Sequence, residues 1–515
     1  MIVVDLNCEN LQYDVHALIN AFYADEQITV LTPETGQKKK EALTEPSIYV
    51  TVLDTVAQVV VKGDAIPNPD GALAGVDAAV SGVDAVLSAK EKHQLQFIWQ
   101  YTPLERQSAD WKKHFKNFLY NVFSQVLDRQ LPWGSLTGIR PTKISMGLLE
   151  DGKTDAEILT YLKSEYLVSD EKAELCLDIS KREKQILSGI HYRDGYSLYV
   201  GIPFCPTTCL YCSFTSYPIR VFETKVDRYV DCLIREMQVV AEQMKGRILD
   251  SVYIGGGTPT TLSADQMDRL ITKLKECFDF STVIEFTVEA GRADSITREK
   301  LEVLHRHGVG RISVNPQTMN DETLRLIGRR HTVAQVKEAF ALAREVGFAN
   351  INMDLILGLP GENAKDVEET IRQIRALGPD SLTVHSLAVK RASKLGAWIE
   401  ENDISMLKNT DETMEIARRG ALEMGMKPYY LYRQKNMAGN FENVGYATEG
   451  NFGIYNILIM EEVQSIIALG AGAISKRVFE DGRIERVENV KDVTLYMDKI
   501  DEMIERKRRF LLSAK

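Results

Sequence analysis

Between Tyr196 and about Val389, short stretches of two-residue alternation recur, each followed by a segment whose apolar residues return every three or four positions. The strand-like stretches are Tyr196–Phe204, Ser251–Gly255, Val283–Ala290, Arg311–Gln317, Ala349–Leu357 and Ser381–Leu387. Helical spacing lies between them, as in Asp265–Cys277 and Val333–Val346. Repeated β-α units predict a parallel sheet with crossover helices. Six of them suit an α/β fold built on a partial (β/α)6 barrel.

Strands of parallel sheets are usually apolar on both faces. Here one face is repeatedly polar. Ile284, Phe286 and Val288 oppose Glu285, Thr287 and Glu289, and Ile312 and Val314 oppose Arg311, Ser313, Asn315 and Gln317. Ile351, Met353 and Leu355 oppose Asn352, Asp354 and Ile356, and Leu382 and Val384 oppose Ser381, Thr383 and His385. Helices can cover the apolar face. Polar groups enclosed by the barrel need partners, supplied by a bound polar ligand with water or by a network within the protein. They cluster near the C-terminal ends of the strands, where β/α barrels carry their active sites.

The flanking patterns differ. Residues 1–165 read as an N-terminal α+β domain. It has strand-like Ile2–Leu6, a β-branched run at Ile48–Val61 and a turn at Ala65–Gly71. A helical stripe follows: Trp111, Phe115, Phe118, Leu119, Val122, Phe123 and Val126. Residues 166–195 form a helical linker, 196–400 the barrel and 401–515 a C-terminal α+β region. That last region holds turn-rich Tyr429–Gly453, the apolar run Ile454–Ile459 and the small-residue segment Ala468–Ala473.

Composition narrows the setting. With 44% hydrophobic residues the chain can bury a large core, and a net charge of −11 weighs against a nucleic acid partner. No apolar run reaches the length of a membrane span, and the opening residues do not read as a signal peptide. Seven cysteines without a pairing pattern point to a reduced, cytoplasmic location.

Three of those cysteines carry the chemistry. Cys205, Cys209 and Cys212 stand at C-x3-C-x2-C spacing directly after the first barrel strand. Iron–sulfur clusters are usually held by four thiolates. A tight triplet would hold three irons of a cubane and leave the fourth open to an exchangeable ligand. Zinc would require another ligand at short spacing, and the nearest later histidine is His305. Cys8, Cys176, Cys232 and Cys277 lie in apolar or helical contexts and read as core. One β-α unit on, Gly255-Gly256-Gly257-Thr258-Pro259-Thr260 joins a strand to a helix. Glycines there let backbone groups approach a ligand; without a lysine it is not a P-loop.

The triplet resembles the signature of the radical S-adenosylmethionine (SAM) superfamily. Tyr199-Val-Gly-Ile-Pro-Phe-Cys205, the triple-glycine turn, Asn315-Pro-Gln317, Gly328-Arg329-Arg330-His331 and Asn352-Met-Asp354-Leu-Ile-Leu-Gly-Leu-Pro360 occur in order. Together they resemble the oxygen-independent coproporphyrinogen III dehydrogenase family in its HemZ-type branch, chiefly over residues 196–390. Leu136–Lys143 and the C-terminal region are similar to that branch as well. The resemblance implies a radical SAM barrel with a 4Fe-4S cluster on Cys205, Cys209 and Cys212. It implies S-adenosyl-L-methionine bound by Tyr199, Gly256, Gly257, Thr258, Glu289, Gln317, Arg329, Asp354 and Ile356, with Tyr211 placed to stack on adenine. It further implies a porphyrinogen substrate, a one-electron donor such as flavodoxin or ferredoxin, and oxidative decarboxylation of two propionate side chains in haem biosynthesis. Lys390, Arg391, Lys394, Arg292, Arg330 and Arg433 are candidate cations for the substrate's carboxylates.

Two positions depart from the family's best-known dehydrogenases: Phe214 replaces a fourth cysteine and Gly201 a histidine. Haem-chaperone relatives share the phenylalanine but carry a His-Asn-x-x-Tyr-Trp motif. The nearest match here, Glu442-Asn-Val-Gly-Tyr446-Ala, lacks the His and the Trp. Haem binding on the same scaffold, and a different radical SAM reaction such as methyl transfer or tRNA modification, are the alternatives.

Overall fold

A computed structural model describes every residue except 24–25, 35–44, 63–64, 67–82, 85–93, 138–139, 391–392, 403–405, 435–440 and 513–515. Much of the Ala65–Gly71 turn therefore lies outside the described residues. The chain divides into two units: Met1–Asp178 with Tyr432–Glu442, and Ile179–Leu431 with Asn443–Lys515. The boundary falls inside the helix Asp170–Leu187, and a short segment near residue 440 returns to the N-terminal unit.

The N-terminal unit is built on a mixed sheet. Its strands are β1 (Ile2–Leu6), β2 (Ile28–Leu31), β3 (Ile48–Val52), β4 (Val56–Lys62), β5 (Val83–Asp84) and β6 (Gln94–Gln100), in the order β2-β1-β3-β4-β6-β5. The aromatic stripe forms one side of the helix Trp111–Leu127 and is wholly buried. Trp111 stacks on Phe115 at 5.2 Å. Burying each large apolar side chain contributes roughly 1.5–3 kcal/mol, which suffices to fix the helix without a cap. The returning segment carries Glu442, which accepts from Trp133 Nε1 at 2.7 Å and pairs with Lys172 at 2.9 Å, all buried.

The second unit is dominated by an eleven-stranded sheet. The six strands expected from alternation are all present: β7 (Gly195–Ile202), β10 (Ile248–Gly256), β11 (Glu285–Gly291), β12 (Arg311–Val314), β13 (Asn350–Leu357) and β14 (Ser381–Ser386). They run parallel in the order β7-β10-β11-β12-β13-β14. Between β7 and β10, β8 (Phe204–Cys205) pairs in parallel with β9 (Tyr217–Pro218), closing the neck of the cysteine loop.

The C-terminal region extends this sheet at both edges. Tyr429–Gly453, expected to be mainly turns, contributes to β15 (Lys427–Tyr432) and contains β16 (Asn443–Ala447); β16 pairs antiparallel with β14. At the other edge β17 (Ser465–Leu469) runs parallel to β7, followed by β18 (Ile474–Val478) and β19 (Ile484–Glu488). All five residues of β17 are buried, so no alternation marked it as a strand. The apolar run Ile454–Ile459 opens the helix Ile454–Glu461. No described helix is long and apolar enough to cross a membrane.

Candidate active site

The cysteine loop starts at β8 because Phe204 and Cys205 pair with Tyr217 and Pro218, bringing its ends together. Tyr217 N–H donates to Pro203 O at 2.8 Å. Farther out, Leu210 N–H donates to Ile327 O at 3.0 Å, and Thr207 Oγ1 to Gly328 O at 2.8 Å. The loop thus lies against the segment that carries Arg329. Cys205 and Cys209 are buried and Cys212 is half-buried. Burial pushes the Cys205 thiol up to about 11; the Thr258 hydroxyl opposes this, and the other two cysteines add to it. The three thiols therefore share one electrostatic neighbourhood.

The triple-glycine turn closes on that loop. Gly257 N–H donates to Ile202 O at 2.8 Å, and Thr258 N–H to Phe204 O at 2.7 Å. The Thr258 hydroxyl donates to Cys205 Sγ at 3.5 Å. A Cβ on Gly257 would stand 2.5 Å from Phe204 O and 3.0 Å from Cys205 Sγ, so only glycine fits. Gly256 has φ +114, a conformation that glycine adopts readily.

Arg329 reaches this loop through Tyr211. Gln317 holds φ +71, an uncommon conformation for a side-chain-bearing residue. Two backbone bonds fix it there: Gln317 N–H to Asp354 O and Ile356 N–H to Gln317 O, both 2.9 Å. Ile356 thus enters through its backbone, its side chain being buried. Arg329 is 6% exposed. It donates to Asn315 O and to the Tyr211 hydroxyl, and no carboxylate neutralises it among the described residues. Its Nε, Gln317 Oε1 and Asn315 Oδ1 are buried without partners.

Glu289 and Asp354 complete the ring. Burial raises the Glu289 carboxyl to about 7, with the nearby Asp354 charge adding, while bonds from the Tyr253 hydroxyl and the Gly256 N–H oppose it. Asp354 feels the same burial, but His385, Asn352 and Arg311 outweigh it and hold its carboxyl below the usual value. Asn352 Nδ2 donates to it at 2.7 Å. Tyr199 lies in a stack of three tyrosines, 6.3 Å from Tyr253 and 6.2 Å from Tyr455; the latter two are 4.4 Å apart.

The structure therefore brings the predicted residues to one end of the barrel. Tyr253 and Tyr455 were missed. Tyr253 was legible, standing two residues from Ser251 and Gly255 on the inward face. Tyr455 had no signal, because it comes from the C-terminal helix. Two expected substrate cations are corrected. Arg292 is 3% exposed and is held by Asp294 and Thr207. Arg433 is buried within the N-terminal unit, bonded to Leu136 O. Arg391 lies outside the described residues. Lys394 and Arg330 are exposed.

The arrangement fits the two groups the sequence called for. Unpartnered buried acceptors and an uncompensated guanidinium suit a zwitterionic ligand carrying hydroxyls. No three His, Cys, Asp or Glu side chains among the described residues converge on a single metal ion.

The Radical SAM superfamily pattern matches residues 199–374. The oxygen-independent coproporphyrinogen-III oxidase-like protein HemZ of Bacillus subtilis is 42% identical over 408 residues, covering 78% of this chain and 81% of that one. This chain belongs to the HemZ-type branch of the oxygen-independent coproporphyrinogen dehydrogenase family. Members of the superfamily use a 4Fe-4S cluster and SAM. The heme chaperone HemW of Bacillus subtilis is 39% identical over 195 residues, 38% of this chain and 51% of its own length. The oxygen-independent coproporphyrinogen III oxidase of Salmonella typhimurium is 29% identical over 325 residues, 59% of this chain and 65% of its own. The solved coproporphyrinogen III oxidase HemN of Escherichia coli shares the fold, with TM-score 0.50 and 24% identity over 62% of this chain and 73% of that one.

Proposed function

We propose that this radical SAM enzyme decarboxylates coproporphyrinogen III oxidatively to protoporphyrinogen IX. The observation that carries the reading is the cysteine loop lying against the glycine turn and against Arg329, a buried cation with no carboxylate partner among the described residues. In this reading Cys205, Cys209 and Cys212 hold the cluster. Arg329 receives the methionine carboxylate of SAM, Gln317 and Asp354 bond its ribose, and the Gly256–Thr258 turn and Glu289 take its amino group. The bound cluster and SAM supply one-electron reduction and hydrogen abstraction. The chain orients the cofactor through these contacts and keeps water away from the reacting centre. Each propionate loses a hydrogen atom, CO2 and one electron to become a vinyl group, the released electron passing to an external one-electron acceptor; a flavodoxin or ferredoxin supplies the initiating electron.

The substrate's carboxylates need a cation near the cluster. Lys390 follows β14 and is half-buried, with its ammonium 5.7 Å from the Phe214 ring. Burial lowers its pKa, while Cys212 opposes that shift. Phe214, 73% exposed on the cysteine loop, offers an apolar face beside that cation for a pyrrole bearing a propionate. Anaerobic incubation of the reconstituted protein with SAM, dithionite and coproporphyrinogen III should yield mono- and divinyl products. Cleavage of SAM without any vinyl product would sink the substrate assignment.

The kinship to HemW supports a second reading, haem binding on the same scaffold. Against it, the position matching the family's histidine is Glu442, already paired with Lys172 and Trp133. A haem titration separates the two: no Soret shift is expected.

A further inference from the structure

We propose that Arg292 is a positioning residue for the cysteine loop, fixing Thr207 between Cys205 and Cys209 and setting a buried positive charge beside the cluster. The inference rests on the cysteine assignment above.

Arg292 leaves the end of β11 directly after Gly291, whose φ of +66 turns the chain. Its Nη1 donates to Thr207 O at 3.0 Å and to Thr207 Oγ1 at 2.7 Å. Thr207 Oγ1 in turn donates to Gly328 O at 2.8 Å. The rest of the guanidinium forms a fork on Asp294, Nε to Oδ1 at 3.0 Å and Nη2 to Oδ2 at 2.7 Å. Buried His331 approaches the same carboxylate, Nδ1 to Oδ1 at 3.6 Å. The Arg292–Asp294 pair therefore stands where three segments meet: the cysteine loop, the turn after β11, and Gly328–His331, which carries Arg329. A buried ion pair alone says little about stability. One whose remaining donors all reach a single residue of a functional loop has a geometric task.

The geometry separates two contributions. Holding Asp294 bidentately through Nε and Nη2 while Nη1 bonds Thr207 twice needs the planar guanidinium, which lysine cannot reproduce. The charge beside the thiolates, which lysine keeps, favours the more negative, reduced cluster and so raises its potential. The test uses Arg292→Met, Arg292→Lys and Thr207→Val in the full chain. In iron-free protein, amide exchange in residues 206–216 should speed up roughly tenfold or more in all three, the scale of a lost charge-assisted hydrogen bond. After anaerobic reconstitution, the midpoint potential should move negative in Arg292→Met and stay near the parent value in Arg292→Lys and Thr207→Val. Unchanged exchange in Thr207→Val, or an unchanged potential in Arg292→Met, overturns the proposal. Should Arg292→Met fail to fold, with Asp294 left unpaired, the other two variants decide through exchange. That arm needs no cluster, so its failure strikes the clamp, whereas failure of any cluster to assemble in the parent strikes the cysteine assignment.

Discussion

Glu285 and Glu289 project from the same strand onto the same inward face, yet the protein uses them in opposite ways. Glu285, near the N-terminal end of β11, accepts from the backbone N–H groups of Ile454 and Tyr455 and so caps the helix Ile454–Glu461. Glu289, four residues on, meets the Tyr253 hydroxyl and a glycine N–H, and its carboxyl rises to about 7. The arginines repeat the contrast. Arg311, low in the barrel, donates to Ser381 and lies in the field of Glu285. Arg329, at the upper end, has no carboxylate partner among the described residues and lies instead in the field of Tyr211 and Cys209. Around them in the lower lumen Ser251 donates to Ser197, Ser197 to Gln464, and Gln464 to Asp250, while Arg311 Nε, Thr287 Oγ1 and Ser313 Oγ stay buried without partners. The upper lumen keeps unpartnered atoms on Asn315, Gln317 and Arg329. The contrast within one barrel is therefore carried by its charged groups: Glu285 and Arg311 below are engaged by the protein itself, whereas Glu289 and Arg329 above lie beside the cysteine loop and the glycine turn.

The largest expected effect tests whether the upper end is a cofactor site at all. Replacing Cys205, Cys209 and Cys212 together with Ala should abolish the iron–sulfur chromophore on anaerobic reconstitution while leaving the far-ultraviolet spectrum intact. A retained four-iron cluster would contradict the assignment.

Next come paired changes at the two levels. Arg329→Ala should weaken SAM binding by roughly 1.5–3 kcal/mol with little loss of stability, measured by calorimetric titration and melting. Glu285→Ala should do the reverse, costing about 1–3 kcal/mol of stability by stripping two helix-capping bonds while SAM affinity holds. If both variants lose stability and neither loses affinity, the division between levels fails.

Gly257→Ala sharpens the upper end further. Its Cβ would meet Phe204 O at 2.5 Å, and relieving that overlap should cost about 1–3 kcal/mol and reduce iron loading. The measurement is iron per chain alongside denaturant unfolding.

The smallest effect is a pH slope. Glu289 has a folded pKa near 7, above the ordinary carboxylate value, so the folded state binds this proton more tightly than the unfolded one. Its contribution to stability is complete below about pH 4 and is lost as pH rises toward 7. Glu289→Gln should flatten that part of the apo-protein's stability profile. An identical slope in parent and variant would mean the carboxyl is not perturbed.

Local pattern by itself determined a good deal. The cysteine spacing, the six alternating strands and the inward polar face are written in adjacent residues, because strand periodicity states which side chains share a face. The helix Trp111–Leu127 was legible for the same reason. Periodicity does not say what a side chain meets across the barrel. Alternation alone places Glu285 and Glu289 on the same face and does not separate them; the contact that engages Glu285 comes from a helix that arrives about 170 residues later. Arg292 read as a candidate cation for the substrate's carboxylates because nothing nearby announces Thr207, 85 residues upstream. β17 has no alternation to read, since both of its faces are covered, and only its pairing with β7 makes it a strand. Tertiary structure decided these points because each depends on long-range contacts that form only when the sheet closes.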